Sequence, residues 1–382
     1  MSTPNALPPA RDALLFTPGP LTTSLSVKQA MLHDAGSWHF EFNAVVARIR
    51  ERLLNLAGLS REDGWEVILL QGSGTFGVEA VFQTCVPPEG KVAVFTNGAY
   101  GERIVQMLQC ARIPHVVAHA AEDAALEPAA LEVLLAAEPT ISHVAVVHCE
   151  TTSGILNPIE AIGRVVKRYG KVFVVDAMSS FAGMPIDFAA AGIDFLISSA
   201  NKCVEGVPGF SFVFAKRPLL LASEGWARSL SLDLLGQLKG FDKNGQFRYT
   251  PPTHALLAFD QALNELEAEG GIAARSERYR RNHETLLSGM ARLGFRPLLA
   301  PAVQSHIITA FRYPDPSFDF ATFYGKLSER GFIIYPGKLT QVDTFRIGNI
   351  GRLLPQDLEQ LVAAVAAVLA EMGISAKPVS NA

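Results

Sequence analysis

The sequence predicts an α/β fold: a large domain built on a mostly parallel mixed sheet flanked by helices, and a smaller α+β C-terminal domain. Its 382 residues suffice for two domains, and 49% of them are hydrophobic while 18% are charged, which is typical of a chain with a large core. From residue 65 onward, short apolar runs alternate with amphipathic stretches. After about residue 255 this alternation gives way to a long charged helical stretch and a different pattern.

Seven apolar runs predict the strands of the large domain: residues 67–71, 91–96, 115–119, 143–150, 172–177, 195–200 and 210–215. Several are apolar on both alternating faces, as strands buried between two helix layers must be. Three amphipathic stretches between them predict crossover helices at 101–112, 128–137 and 158–169. This alternation favours parallel pairing with right-handed connections.

The C-terminal part has a different order of elements. A helical stretch at 254–293 leads to predicted strands at 306–311 and 332–335, with helices at 318–330 and 355–372. We therefore divide the chain into an N-terminal arm (1–20), a large domain (21–260), a small domain (261–372) and a disordered tail (373–382).

Charge and cysteine content exclude several classes of protein. A net charge of −4 and a pI near 6.2 give no basic field for nucleic acid or for an anionic membrane. The Pro-rich N-terminus does not resemble a secretory signal, and four scattered cysteines argue against a disulfide framework and fit a reducing compartment. His115 and His119 fall in a predicted strand without a third ligand nearby, so no metal site is expected. We expect a cytoplasmic protein.

A glycine-rich loop, GSGTFG at residues 72–77, follows the first predicted strand and opens a helix. Such a turn exposes backbone N–H groups at the positive end of a helix and favours an anion. The spacing also matches the GxGxxG dinucleotide fingerprint, but the acid needed after the next strand is replaced by TNG at 96–98. A phosphate loop that uses the Ser73 and Thr75 hydroxyls is favoured, with a simple tight turn as the alternative.

Two charged side chains follow later strands. Asp176 ends the run VFVVD and Lys202 lies in SSANKC, so both should face the crevice beyond the carboxyl ends of parallel strands. A protonated ring nitrogen could partner the buried carboxylate, although Asp176 could equally cap a helix. A desolvated lysine is a candidate Schiff-base nucleophile, whereas an isolated lysine is usually solvated. A phosphate loop, a carboxylate and a lysine are the three parts of a pyridoxal phosphate site.

Several motifs together resemble one family: TPGPLTT, QGSGTFGVEA, NGAYGER, HCETTSGILNP, VDAMSSFAG, SSANKCVEGVPGF, YPGK and FRIGNIG. They are similar to the class V, fold-type I aminotransferases, from about residue 14 to residue 372. The resemblance implies pyridoxal 5'-phosphate as cofactor and a homodimer. It also implies 2-aminoethylphosphonate as amino donor and pyruvate as acceptor, giving phosphonoacetaldehyde and L-alanine.

The resemblance also implies roles for single residues. Lys202 forms the Schiff base, Asp176 pairs with the pyridine nitrogen, and Arg346 binds the substrate carboxylate. The other implied cofactor contacts are Ser73, Gly74 and Thr75 on the phosphate, Asn201 near it, Tyr100 and Met178 on the two ring faces, Thr151 near the phenolic oxygen, and Thr250 on the phosphate in the neighbouring subunit. A guanidinium suits Arg346 to its role because it grips a carboxylate or phosphonate with two parallel bonds.

Two alternatives stay open. An alanine– or serine–glyoxylate aminotransferase of the same family has the same catalytic groups and differs in its substrates. An NAD-dependent oxidoreductase would use the GSGTFG loop for a dinucleotide, against which the missing acid argues.

Overall fold

A computed structural model describes residues 12–339 and 342–374. The strands are β1 (Leu14–Leu15), β2 (Trp65–Gln71), β3 (Lys91–Thr96), β4 (His115–His119), β5 (Ile141–Val147), β6 (Cys149–Glu150), β7 (Ile155–Leu156), β8 (Val172–Asp176), β9 (Phe195–Ser199), β10 (Phe210–Lys216), β11 (Ile308–Arg312), β12 (Phe332–Ile333), β13 (Tyr335–Pro336) and β14 (Thr344–Gly348).

The helices are α1 (Leu25–Gln29), α2 (Phe40–Leu56), α3 (Gly74–Cys85), α4 (Ala99–Cys110), α5 (Pro128–Ala137), α6 (Ile159–Arg168), α7 (Arg217–Leu221), α8 (Leu234–Asn244), α9 (Thr253–Glu269), α10 (Gly271–Arg292), α11 (Phe320–Glu329) and α12 (Pro355–Glu371). No helix in these two described ranges is both long enough and apolar enough to cross a lipid bilayer.

The central sheet has seven strands in the order β2-β10-β9-β8-β5-β3-β4. Pairing is parallel from β9 through β8, β5 and β3 to β4, while β10 runs antiparallel to both of its neighbours. The predicted mostly parallel mixed sheet is therefore confirmed. The seven predicted strands all form, but the run at 143–150 divides into β5 and the short β6.

The strands are buried because helices cover both faces of the sheet. All residues of β9 are buried, and β8 and β10 are buried except at one end. Edge strand β4 is only half-buried, as one side of it has no neighbouring strand. Burial on both faces explains why these segments are continuous apolar runs instead of alternating ones.

The direction of the strands positions the functional groups. β2, β8 and β9 point the same way, so the chain segments that follow them emerge at one edge of the sheet. The loop before α3, Asp176 and the segment containing Lys202 are these segments. This edge is where parallel α/β proteins bind ligands.

The C-terminal part has its own apolar cluster and a three-stranded antiparallel sheet in the order β11-β14-β13. β1 pairs in parallel with β12, so residues of the predicted N-terminal arm attach to this part of the fold. Helix α10 contributes Tyr279 to the main core and Leu286 to the C-terminal cluster. A domain boundary between 260 and 261 stays a prediction, and residues 1–11 of the arm and 375–382 of the tail lie outside the described ranges.

Two local features differ from the sequence expectations. The helical stretch at 254–293 is divided into α9 and α10 at Gly270, whose φ of +110° suits glycine and ends a helix. The sequence pattern did not single out α2, whose buried face includes Arg50. That guanidinium interrupts the apolar stripe and is paired in the fold with Glu66 at 2.9 Å.

Candidate active site

A cavity opens at the carboxyl edge of the sheet. It is lined by Ser73, Gly74, Thr75, Val78, Tyr100, Arg103, Ile104, Met107, Asp176, Met178, Ser199, Asn201 and Lys202. Eight of the eleven site residues expected from the sequence therefore line one cavity. Thr151, Thr250 and Arg346 are outside the lining and are located separately below.

Lys202 follows β9 and its side-chain nitrogen donates a hydrogen bond to the backbone oxygen of Pro18. Burial lowers the pKa of Lys202 to about 8, and the positive charges of Arg346 and Arg103 act in the same direction. Asp176 partly offsets this fall by favouring the ammonium. The lysine thus has a substantial neutral fraction near physiological pH, as a nucleophilic amine requires.

Asp176 ends β8 and its carboxylate is buried. Desolvation raises the pKa of Asp176 to about 6, against the effect of the Met178 N–H, which donates to its Oδ1 at 2.9 Å. That contact resembles the local capping role considered from the sequence. It leaves a buried carboxylate at the cavity wall that would be stabilised by a cationic partner.

The glycine-rich loop forms the N-terminus of α3. Ser73 is the N-cap residue, yet its hydroxyl makes no hydrogen bond to the helix that follows. A Cβ on Gly74 would be 2.2 Å from the sulfur of Met178, so only glycine permits this close approach of the loop. The hydroxyl and the first N–H groups of α3 form a cradle for an anion.

Tyr100 and Met178, which the resemblance places on the two faces of the cofactor ring, both line the cavity. Tyr100 lies in the first turn of α4, and Glu150 accepts hydrogen bonds from the backbone N–H groups of Tyr100 at 3.1 Å and Gly101 at 3.3 Å. The other oxygen of Glu150 accepts from Thr152. A carboxylate at a helix N-terminus is favourable, and here it fixes the turn that carries Tyr100.

Arg346 lies on β14 and is almost completely buried. Its Nη1 donates to the backbone oxygen of Thr151 at 2.8 Å and its Nε to that of Pro336 at 2.9 Å. Burial lowers the pKa of Arg346, although the neighbouring Tyr100, Tyr335 and Glu150 oppose the change. The guanidinium is therefore close to Tyr100 and Lys202 but comes from the C-terminal part of the chain.

The two remaining expected residues, Thr151 and Thr250, lie in different parts of the structure. Thr151 is buried and contacts the site through its backbone oxygen on Arg346. Thr250 is exposed and lines a separate cavity with Phe76 and Tyr249. Within one subunit the structure therefore does not bring Thr250 to the cavity that contains Lys202.

Three charged residues at the site were not among the expected ones. Glu150 anchors α4, Arg103 lines the cavity with its Nη1 3.5 Å from the Thr75 hydroxyl, and Lys338 Nζ lies 4.6 Å from the centre of the Tyr100 ring. Each lies inside a quoted motif: HCETTSGILNP, NGAYGER and YPGK. Their position inside motifs that carry the family resemblance was the signal that could have found them.

These groups fit pyridoxal phosphate. The cradle at α3 suits its phosphate, the buried Asp176 suits a protonated ring nitrogen, and the desolvated Lys202 suits its aldehyde. Glycine at position 74 lets the loop lie against Met178 in the cavity wall. The fold and this site define a pyridoxal-phosphate-dependent aminotransferase of fold type I.

Comparison with known proteins gives the family. A sequence profile of class V aminotransferases matches residues 25–340. The chain belongs to this family. It is 51% identical over 359 residues to the 2-aminoethylphosphonate–pyruvate transaminase of Klebsiella pneumoniae, covering 93% of this chain and 97% of that one. The transaminase of the same name from Salmonella typhimurium has the same identity and coverage.

Solved structures share the fold at lower identity. Pyridoxamine–pyruvate aminotransferase from Mesorhizobium loti superposes with a TM-score of 0.88 at 22% identity, covering 97% of this chain and 95% of that one. Alanine–glyoxylate aminotransferase from Nostoc sp. has a TM-score of 0.86 at 24% identity and 97% coverage of both chains.

Proposed function

We propose that this chain transfers the amino group of 2-aminoethylphosphonate to pyruvate, giving phosphonoacetaldehyde and L-alanine. The observation that carries the proposal is the buried guanidinium of Arg346 close to the nucleophilic Lys202, which together accommodate a substrate with an amine and an anionic end. The 51% identity to transaminases named for this reaction supports the choice of substrates.

We propose that the glycine-rich loop and the cavity walls hold the cofactor. Ser73, Gly74 and Thr75 bind the phosphate, Asn201 lies near it, and Tyr100 and Met178 enclose the ring. Thr151 is proposed near the phenolic oxygen. Bound pyridoxal phosphate supplies an electron sink through its protonated ring nitrogen.

Asp176 keeps a proton at that ring nitrogen, because its buried carboxylate is stabilised by the positive charge beside it. The Lys202 amine is the base that removes a proton from the carbon bearing the nitrogen of the donor. In the second half of the reaction, the Lys202 amine returns a proton to the carbon of pyruvate that becomes the α-carbon of alanine. One site serves both halves, so the kinetics are expected to be ping-pong.

Arg346 binds the anionic end of the substrate. Two of its donors are held by backbone oxygens, which fix the plane of the guanidinium and leave its remaining N–H groups for a ligand. Both the pyruvate carboxylate and the phosphonate of the donor are anions, and a site that accepts both substrates in turn needs such a group.

A donor and acceptor screen tests the function. With pyruvate as acceptor, the kcat/KM for 2-aminoethylphosphonate should be at least about tenfold higher than the kcat/KM for L-serine or L-alanine with glyoxylate. The first reaction is measured as the alanine formed, and the reactions with glyoxylate are measured as the glycine formed. Lys202→Ala is the inactive control. A faster reaction of alanine or serine with glyoxylate would overturn the proposal in favour of the glyoxylate enzymes of the family.

We also propose a cytoplasmic homodimer in which Thr250 of each subunit reaches the cofactor phosphate of the other. Support comes from the exposure of Leu25, Leu32, Trp38 and Phe40, which are large apolar side chains near the N-terminal end of the described chain. Light scattering after gel filtration should give twice the mass of 41.2 kDa. Trp38→Asp should shift the protein towards monomer and weaken cofactor retention.

A further inference from the structure

Three cations converge on Tyr100. The Lys338 Nζ lies 4.6 Å and the Arg103 Cζ lies 4.9 Å from the centre of its ring, and the positive charge of Arg346 lies close enough to interact with Tyr100. Within residues 12–339 and 342–374, no ion pair joins any of the three to a carboxylate. Like charges that gather without such a partner indicate a site for an anion.

The nearby Glu150 offsets these positive charges only in part. The two oxygens of Glu150 accept hydrogen bonds from Tyr100, Gly101 and Thr152, and burial raises the pKa of Glu150. The repulsion acts at Lys338, where burial and the charges of Arg103 and Arg346 lower the pKa of the ammonium and the charge of Glu150 opposes them. An anion bound here would relieve the repulsion.

The three cations are in different places. Arg103 is next to Thr75 in the phosphate cradle, so its positive charge lies at the proposed site of the cofactor phosphate. Arg346 is buried and held by two backbone oxygens. Lys338 is exposed in a second opening that is also lined by Arg103 and by the carboxylates of Glu102 and Glu122, and its flexible ammonium can follow a ligand.

We propose that Lys338 is a specificity-determining residue, whose ammonium gives the phosphonate of the amino donor a second positive charge beside that of Arg346. A phosphonate carries up to two negative charges on three oxygens, whereas the carboxylate of pyruvate carries one on two oxygens. Arg346 suffices for the carboxylate, and both cations bind the phosphonate. The inference rests on the proposed function, because it assigns a residue to the donor half of that reaction.

Steady-state kinetics with both substrates varied test this assignment. Lys338→Gln should raise the KM for 2-aminoethylphosphonate about 10- to 100-fold and leave the KM for pyruvate within about threefold. Lys338→Arg should keep the donor KM within about fivefold, because it keeps the charge. Lys243→Gln, which removes an exposed lysine from the last turn of α8, is the matched control and should change neither KM.

Inhibitors that do not react give a second readout. Ethylphosphonate should inhibit the wild type more strongly than propionate does, and Lys338→Gln should abolish that preference. If Lys338→Gln raised the KM values of both substrates equally, or left the KM of the donor unchanged, the inference would be overturned while the proposed function would stand. If the wild type fails to use 2-aminoethylphosphonate, the proposed function fails, and the preference for ethylphosphonate over propionate still decides whether Lys338 selects phosphonates.

Discussion

The side-chain nitrogen of Lys202 donates a hydrogen bond to the backbone oxygen of Pro18, 184 residues earlier in the chain. The next residue, Gly19, has a φ of +117°, and a Cβ there would lie 2.6 Å from the same nitrogen. The segment TPGP thus forms a wall of the site around the reactive amine. A segment predicted to belong to the N-terminal arm therefore contacts the reactive amine.

Gly19→Ala should therefore weaken cofactor binding. The new methyl group meets the Lys202 side chain, and a positive φ costs a non-glycine residue about 1–2 kcal/mol. We expect a several-fold rise in the dissociation constant of pyridoxal phosphate, measured by titration of the cofactor-free protein. Gly170→Ala is a suitable control, because φ there is also positive and a Cβ would meet nothing within 4 Å. Equal cofactor affinity of the two variants would contradict the role of the Pro18–Gly19 wall.

Lys202 should be the residue that binds the cofactor covalently. The protein loaded with pyridoxal phosphate should absorb visible light, and borohydride should bleach it and add the reduced cofactor to the peptide that contains Lys202. Lys202→Ala should show neither change, as measured by absorbance and peptide mass. A label on any other lysine would contradict the assignment.

The pH dependence of cofactor capture should reflect the lowered pKa of Lys202. The neutral amine is the nucleophile, so with a pKa of about 8 roughly a tenth of it reacts at pH 7 and the rate levels off above pH 8. An ordinary lysine, with a pKa of 10.5, would give a rate that still rises at pH 9. Stopped-flow absorbance of the cofactor-free protein measures this midpoint. In Asp176→Asn the midpoint should fall, because that carboxylate raises the pKa of Lys202.

Asp176→Asn should have opposite effects on activity and on stability. Loss of the charge beside the ring nitrogen should slow single-turnover deamination by about 10²–10³-fold, which corresponds to a few kcal/mol of barrier. Because burial raises the pKa of Asp176 from 3.8 to about 6, the cofactor-free fold is penalised when this group ionises. The penalty grows as pH rises through that interval and is complete above pH 6.

The free energy of unfolding of the cofactor-free variant should accordingly exceed that of the wild type, and by about 1 kcal/mol more at pH 7.5 than at pH 5. Urea denaturation at the two pH values measures this difference. The Asn Oδ1 can still accept from the Met178 N–H, so that contact is retained. A gain that does not depend on pH would contradict the ionisation argument.

Arg346→Lys should raise the KM for pyruvate and lower its kcat/KM by roughly 10- to 150-fold, because a point charge replaces a bidentate donor. The KM for 2-aminoethylphosphonate should rise as well, because the anionic end of this donor binds the same guanidinium. The visible absorbance should stay normal because Lys202 is unchanged. If neither substrate is affected, the anion site lies elsewhere, and the loop at residues 22–24 is the next candidate.

Local sequence determined the sheet and part of the site. A strand buried on both faces has to be a continuous apolar run, so β3 was predicted with the bounds it has in the fold. The bounds of the half-buried edge strand β4 were predicted as well. The carboxyl ends of parallel strands share an edge, so Asp176 and Lys202 could be placed together from their positions after two such runs. The resemblance added Arg346, which lies on a strand that no periodic pattern had indicated.

The tertiary structure alone decided which distant residues surround those groups. Pro18 contacts Lys202, Glu150 holds the first turn of α4, and Lys338 lies over Tyr100. Helix α2 likewise depends on the pairing of Arg50 with Glu66, which a pattern of apolar residues does not reveal. Periodicity reports whether a segment is buried, because burial repeats with the geometry of the strand or helix. Periodicity does not report which charged side chains contact each other, because those contacts depend on how separate segments of the chain pack.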